Sequence, residues 1–330
     1  MRKLALFAIG CCLLDPTAGL AQDSVPTRGD CDSSQTVTFL LRQNFSDIQL
    51  FDCASKVATA KGAEFSWSND RVARDEAWTV NGMAAVAVSV RGDLSENTGR
   101  IGFMGATLAP YVQLNRETHS ANTQKNTDTT IYGVSLEVGL DASALGRHYL
   151  RTSLSGVDDQ IKNTNFFHAK FEWIPANKAI CVGTACGVFA SEQLSASPGM
   201  PQLMYRFSPE FKIQYDNALE SSKPILFSGK DQSMRIGPEI NFLTWFFYKE
   251  GGPIPVLGGL FDLSNLSAKA TYHWDIEAYS GNTFSWFDSS LTYNMGKSEH
   301  LALSASYQSG NAEETGIRTE IYKIALTAKF

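Results

Sequence analysis

Residues 266–278 have the sequence LSAKATYHWDIEA, in which two kinds of side chain alternate strictly. The even positions carry apolar or aromatic side chains, whereas every charge lies at an odd position. This period of two is that of a β-strand, whose side chains point alternately to opposite faces. The stretch therefore predicts a long strand that separates an apolar medium from a polar one.

The same alternation recurs along the rest of the chain, in residues 132–140, 167–173, 203–216, 287–295 and 301–307. Strands of soluble β-sandwiches usually span about 5–6 residues, and several of these runs are longer. Aromatic residues also lie near both ends of some apolar rows, which is typical of the interfacial girdles of membrane barrels. The pattern predicts an all-β protein, a transmembrane antiparallel up-and-down β-barrel.

The alternation predicts about twelve strands. They lie near residues 63–70, 77–91, 99–114, 127–141, 147–156, 164–174, 202–217, 232–247, 264–279, 283–296, 300–309 and 319–330. Single-chain bacterial barrels have even strand numbers. Because the stretches 175–201 and 248–263 are long enough for two more strands, fourteen is the alternative. If both termini lie in the periplasm, the outward connections are 71–76, 115–126, 157–163, 218–231, 280–282 and 310–318.

The composition excludes several classes of protein. The 330 residues contain 28 Lys and Arg against 34 Asp and Glu, a net charge of -6. This charge excludes the basic surface of a nucleic-acid-binding protein. Charged residues make up 19% of the chain, below the roughly 25% of soluble domains. A mean hydropathy of -0.15 and the lack of a long apolar run beyond the N-terminus argue against a helical membrane protein.

The N-terminus has the features of a signal peptide. Arg2 and Lys3 precede an apolar run at 4–14, and small residues at 19 and 21 predict cleavage after Ala21. A lipoprotein acylated at Cys11 is the alternative. The expected domains are a signal peptide at 1–21, an N-terminal periplasmic or plug extension at 22–62 and a barrel at 63–330.

The extension contains a predicted helix. Residues 46–49 have the pattern of a capping box, and apolar residues at helical spacing follow them. A short amphipathic helix in this extension could plug the lumen, close the periplasmic mouth or pack outside the barrel.

Cleavage would leave four cysteines, Cys31, Cys53, Cys181 and Cys186. An even number of cysteines in an exported chain predicts disulfides, and pairing of nearest neighbours gives Cys31–Cys53 and Cys181–Cys186. A metal site would need a C-x-x-C spacing or nearby histidines, which these pairs lack. We expect neither a metal nor a cofactor.

The last strand ends on the final residue. Tyr322, Ile324, Leu326, Ala328 and Phe330 form its apolar face. This terminus resembles the assembly signal of Gram-negative outer-membrane β-barrel proteins. The resemblance implies an outer-membrane location, contact with outer-membrane lipid and recognition by the barrel-assembly machinery. It identifies no subfamily, and the oligomeric state stays open.

Phe330 is expected to be required for efficient insertion, because it ends the strand that the assembly machinery would recognise. Phe330→Ala should lower the amount of protein in the outer membrane and leave degradation products in the periplasm, as measured by fractionation and immunoblotting. Normal membrane levels of a Phe330→Asp variant would contradict this prediction.

The polar faces of the strands carry both signs of charge. The residues predicted to face the lumen are His168, Lys170, Glu172, Arg206, Glu210, Lys212, Asp216, Lys269, His273, Asp275, Glu277 and Asp288, together with Arg235, Glu239 and Lys323. These charges could select solutes along a permeation path. The alternative is that neighbouring strands pair their charges in a filled barrel.

Catalytic motifs are scarce: the sequence lacks G-x-S-x-G, H-E-x-x-H, Walker and G-x-G-x-x-G patterns. Asn69-Asp70, followed by TVNG at 79–82, resembles the first strands of lipid A deacylase barrels. That family acts at the outer rim with an Asn-Asp pair and a histidine-assisted nucleophile, which implies roles for Asn69, Asp70 and His119. The phospholipase-type pattern, a histidine followed two residues later by Ser-Asn-Gly, is absent.

The expected function is a passive channel or transporter for small polar solutes in the outer membrane. One alternative is an outer-membrane enzyme that acts on lipid A or phospholipid. The other is a barrel that does not conduct and has a structural or anchoring role.

Overall fold

The computed structural model describes eighteen β-strands. It covers residues 37–42, 63–71, 74–91, 101–121, 126–142, 147–161, 164–176, 181–182, 185–186, 195–197, 200–220, 231–246, 255–256, 261–262, 265–295, 301–311 and 318–328. The strands are β1 (Val37–Arg42), β2 (Ala63–Asp70), β3 (Asp75–Arg91), β4 (Gly102–His119), β5 (Thr127–Asp141), β6 (Arg147–Asp159), β7 (Thr164–Ala176), β8 (Cys181–Val182), β9 (Ala185–Cys186), β10 (Ser195–Ser197), β11 (Met200–Glu220), β12 (Gln232–Trp245), β13 (Pro255–Val256), β14 (Phe261–Asp262), β15 (Leu266–Glu277), β16 (Thr283–Met295), β17 (Leu301–Asn311) and β18 (Arg318–Ala328).

Twelve of these strands form a closed antiparallel barrel, with sequential neighbours paired from β2 through β7, β11, β12 and β15 to β18. The barrel closes where β18 pairs with β2, from Ala63 opposite Ala328 to Asp70 opposite Ile321. The predicted all-β up-and-down barrel of twelve strands is therefore confirmed. The alternative of fourteen barrel strands is wrong, because the described parts of 175–201 and 248–263 form the small hairpins β8–β9 and β13–β14 and the short strand β10.

The observed strand bounds differ most from the predicted ones at β4, which extends to His119 rather than ending near 114. Residues 115–119 are therefore strand and not part of the outward connection. The apolar register of this strand also changes near its start, where a bulge lies between Phe103 and Gly105. Gly105 has a φ of 153°, a conformation that L side chains rarely adopt. A bulge inserts one extra residue and shifts the alternation of faces.

Part of the N-terminal extension belongs to the barrel wall. Strand β1 pairs with β3 from Val37 opposite Val88 to Arg42 opposite Met83, and β2 continues along β3 with Glu64 opposite Asn81. The two short strands thus lie end to end beside one long strand. The extension predicted at 22–62 thus contributes one strand, which pairs with β3 and is additional to the twelve strands of the closed barrel. The helix predicted from 46 onwards lies outside the described residues, as does the signal peptide.

Apolar side chains cover the outside of the barrel. Eight of them, at least 40% exposed and spread around the wall, are Trp78, Val86, Leu108, Leu136, Ile240, Tyr272, Leu303 and Ile324. Their sequence neighbours on the opposite face, such as Glu137 and His273, are almost fully buried. An exposed apolar belt of this extent exceeds the patches found on soluble proteins. In a closed barrel, where no strand edge meets lipid, it is the surface that contacts a membrane.

The described residues contain no helix with the length and apolar character needed to cross a membrane.

Not all of the inner face is polar. Leu40 of β1 packs with Met83 and Ala85 of β3 and with Ala109 and Tyr111 of β4 in one buried cluster. All of these side chains lie on the same face of their strands as the polar, inward-facing residues farther along. The cluster therefore lines the inside of the wall at the half of β3 that pairs with β1.

Candidate functional site: the charged inner wall

A buried arginine lies at the centre of the charged inner face. Glu137 of β5, Arg151 of β6 and Glu172 of β7 occupy one row of the sheet. The Arg151 Nε and Nη2 atoms donate to Glu137 Oε2 at 2.9 and 2.8 Å, and Nη1 donates to Glu172 Oε2 at 3.0 Å. Because all three side chains are at most 2% exposed, each charge depends on its partners for compensation.

The network continues across β7, β11 and β12. Lys170 Nζ contacts Glu172 Oε1 at 2.9 Å, and Lys212 pairs with Glu239. The Asn241 amide donates to Glu239 Oε1 at 2.8 Å and to Glu210 Oε1 at 3.1 Å. The ion pairs therefore join neighbouring strands into one continuous polar layer.

A second group lies nearer the turn between β11 and β12. His168 Nδ1 is 2.6 Å from Asp216 Oδ1, and Arg235 Nη2 is 3.5 Å from Asp216 Oδ2. The Gln214 amide donates to the same carboxylate at 3.2 Å. This carboxylate thus has partners on three adjacent strands.

The charged side chains of β15 are stabilised by ion pairs and by hydrogen bonds from the backbone. His273 lies between Glu239, at 3.9 Å from Nδ1, and Asp275, at 3.7 Å from Nε2. Glu277, which is fully buried, accepts the backbone N–H groups of Met234 at 3.1 Å and Ser280 at 2.6 Å. Glu277 therefore caps the β15–β16 turn, where Gly281 has a positive φ of 71°.

The wall formed by β16, β17 and β18 is different. Its inward positions are mostly hydroxyl or amide side chains, and several are half-buried: Thr292, Ser304, Ser306 and Gln308. Asp288 accepts a hydrogen bond from Gln308 at 2.5 Å, and Lys323 pairs with Glu64 of β2. The inner surface thus has one charged wall and one largely neutral wall.

The structure joins most of the predicted lumen residues into these pairs. Two charged members of the network were not predicted, Glu137 and Arg151. Glu137 lies between Leu136 and Val138, which belong to the apolar face of the strand predicted at 127–141. This alternation could have indicated that Glu137 faces the lumen. The side chain of Arg206 lies outside the described residues.

Neither predicted disulfide can be assigned. Cys181 and Cys186 are backbone partners across the β8–β9 hairpin, but their side chains, like Cys31 and Cys53, lie outside the described residues. No group of metal-ligating side chains occurs in the described ranges.

The residues suggested for an enzyme do not meet at one place. His119 Nδ1 lies 2.8 Å from Asp75 Oδ2, and Nε2 lies 3.4 Å from Glu117 Oε1. Asp70 lies opposite Asp75 on the neighbouring strand. Asn69 lies on the same face of β2 as the outward-facing Phe65. His119 lies on the same face of β4 as the buried Gln113. The structure therefore brings His119 to Asp75 and not to Asn69.

The closed barrel, its outward apolar belt and its inward charges define the chain as a transmembrane β-barrel of the outer-membrane type.

Comparison with known proteins gives similarity at the level of structure alone. No protein-family model matches the chain, and no characterised protein matches its sequence.

Three solved structures illustrate the similarity. The NanC porin is 9% identical, with a TM-score of 0.38, over 82% of this chain and 100% of that one. An outer membrane channel from Pseudomonas putida F1 is 9% identical, with a TM-score of 0.39, over 96% and 100%. The KdgM porin is 7% identical, with a TM-score of 0.34, over 81% and 98%. At these identities and TM-scores we transfer neither solute nor mechanism from these proteins.

Proposed function

We propose that this chain is an outer-membrane channel that passes small polar solutes. The observation that carries the proposal is the contrast between the two inner walls. On the charged wall, side chains satisfy one another and are buried. On the wall of β16 to β18, half-buried polar side chains such as Thr292, Ser304 and Ser306 have no hydrogen-bonding partner among the described residues.

This contrast favours a path that runs off-centre, along β16 to β18. A paired carboxylate or guanidinium must give up its partner before it can bind a solute, and that exchange costs free energy. A hydroxyl without a partner offers a hydrogen bond at no such cost. A permeating polar molecule that loses part of its hydration would therefore be compensated along this wall.

The apolar belt supports insertion into a bilayer, and the closed barrel supports the outer membrane as its location. We propose outer-membrane lipid and the barrel-assembly machinery as its partners.

The channel proposal is tested with refolded protein in planar bilayers and in liposomes. We expect stepwise conductance increments, and swelling of protein-containing liposomes in isotonic solutions of small sugars. Silent bilayers and unchanged liposomes would contradict the proposal and would favour a barrel with an anchoring role.

A further inference from the structure

Lys269 of β15 differs from the other inward-facing cations of the barrel strands. Five other inward-facing cations each contact a carboxylate: Arg151, Lys170, Lys212, Arg235 and Lys323. Lys269 has neither an ion pair nor a hydrogen bond from its side chain within the described part of the chain, although it is half-buried. A half-buried ammonium group without a counter-ion is available to a negatively charged ligand.

The strand register explains why Lys269 has no partner among the described residues. On β12 it lies opposite Leu243, which is buried, and on β16 it lies opposite Ser290. On its own strand the flanking residues of the same parity are Ser267 and Thr271, whose hydroxyl donates to Asn241 at 2.6 Å. The nearest acidic residue of the same face is Asp288 of β16, which lies diagonally from Lys269, opposite Thr271. It accepts a hydrogen bond from Gln308 and forms no ion pair with Lys269 in the described part of the chain.

Hydroxyl groups surround this ammonium on the side of the neutral wall. Ser290, which is buried, lies beside Lys269, and the half-buried Ser306 follows in the same row on β17. One row away, Thr292 lies opposite Ser304. None of these four hydroxyls has a hydrogen bond to another described residue. A cation and several hydroxyls without partners thus lie together on the inner surface.

We propose that Lys269, Ser290 and Ser306 form a subsite for small hydroxylated solutes that carry a carboxylate. The inference rests on the proposed function and names its solute class. The ammonium would bind the carboxylate through a charge-assisted hydrogen bond, and the serine hydroxyls would donate to and accept from the solute hydroxyls. A single cation gives an interaction weak enough for release, which conduction requires.

The test uses gluconate and sorbitol, which have the same carbon chain and differ at one end, where gluconate carries a carboxylate and sorbitol a hydroxymethyl group. Efflux of each labelled solute from proteoliposomes is measured for the wild type and for Lys269→Met. We expect the ratio of gluconate to sorbitol flux to fall about tenfold, which corresponds to about 1.4 kcal/mol, while sorbitol flux changes little. Heat-modifiable mobility on gels checks that each variant is folded.

Three further variants accompany Lys269→Met. Lys269→Arg keeps the charge and should retain the gluconate preference. Ser306→Ala should reduce gluconate flux, whereas Ser153→Ala, which removes a buried hydroxyl on the charged wall, should not. A Lys269→Met protein with an unchanged flux ratio would overturn the subsite and leave the channel proposal intact.

If neither solute crosses wild-type liposomes, the channel proposal fails, and calorimetric titration with gluconate then decides the subsite. Binding by the wild type that is lost in Lys269→Met would support it. No binding by the wild type would overturn it.

Discussion

Ala270→Arg should sharply reduce the fraction of barrel that folds into lipid. Ala270 has the outward parity of β15, next to the exposed Tyr272, and pairs with the exposed Phe242 of β12. An arginine on the lipid face costs roughly 2–4 kcal/mol at the bilayer midplane and about 0–1 near the interfaces. Folding yield into vesicles, read from heat-modifiable mobility, measures the effect.

Two neighbouring substitutions serve as controls. Tyr272→Arg should also lower the yield, since it places a charge on the same face. Thr271→Arg should fold nearly normally, because this inward position lies among polar groups that include the Asn241 side chain. The opposite ranking would mean that the register is wrong by one residue and that every face of β15 is inverted. Equal tolerance at all three positions would mean that no bilayer contacts this strand.

Arg151→Met is expected to destabilise the folded barrel by about 3–5 kcal/mol, because it leaves two buried carboxylates without their shared cation. Glu137 loses two hydrogen bonds and Glu172 loses one, while Lys170 remains beside Glu172. Denaturant titration in lipid vesicles measures the change in the free energy of unfolding.

The matched control is Arg116→Met. Arg116 also faces a carboxylate, Asp128 at 3.8 Å, but its side chain is 70% exposed. Exposed pairs contribute about 0–1 kcal/mol, so this variant should be close to wild type. A triple variant, Arg151→Met with Glu137→Gln and Glu172→Gln, should recover part of the loss because no uncompensated charge remains. Similar losses in Arg151→Met and Arg116→Met would show that the inner wall is as hydrated as the outer rim.

The fold was predictable because the alternation of apolar and polar side chains can be recognised within each strand on its own. Residues 266–278 place their charges on one face without reference to any other strand. The same held for β2 and β5, whose predicted bounds agree with the structure. The bounds near β4 were harder, because the bulge before Gly105 interrupts the alternation. A glycine alone does not identify a bulge, since Gly133 lies within β5 without one.

The site was predictable only in part. Alternation identified Lys212 and Glu239 as inward-facing, but their pairing depends on the register between β11 and β12, which the sequence of one strand does not specify. The isolation of Lys269 has the same origin, since it arises from Leu243 and Ser290 on two other strands. The role of β1 was not foreseen, because its contribution to the wall depends on the space that β2 leaves along β3.

Closure of the barrel between β2 and β18 has a kinetic consequence. The two strands come from opposite ends of the described barrel, so their ladder joins residues with the largest sequence separation in the sheet. Such non-local pairing forms slowly. Until it forms, both strands expose unpaired N–H and C=O groups to which other chains can add. The edges of this sheet therefore stay open to aggregation until β2 and β18 pair.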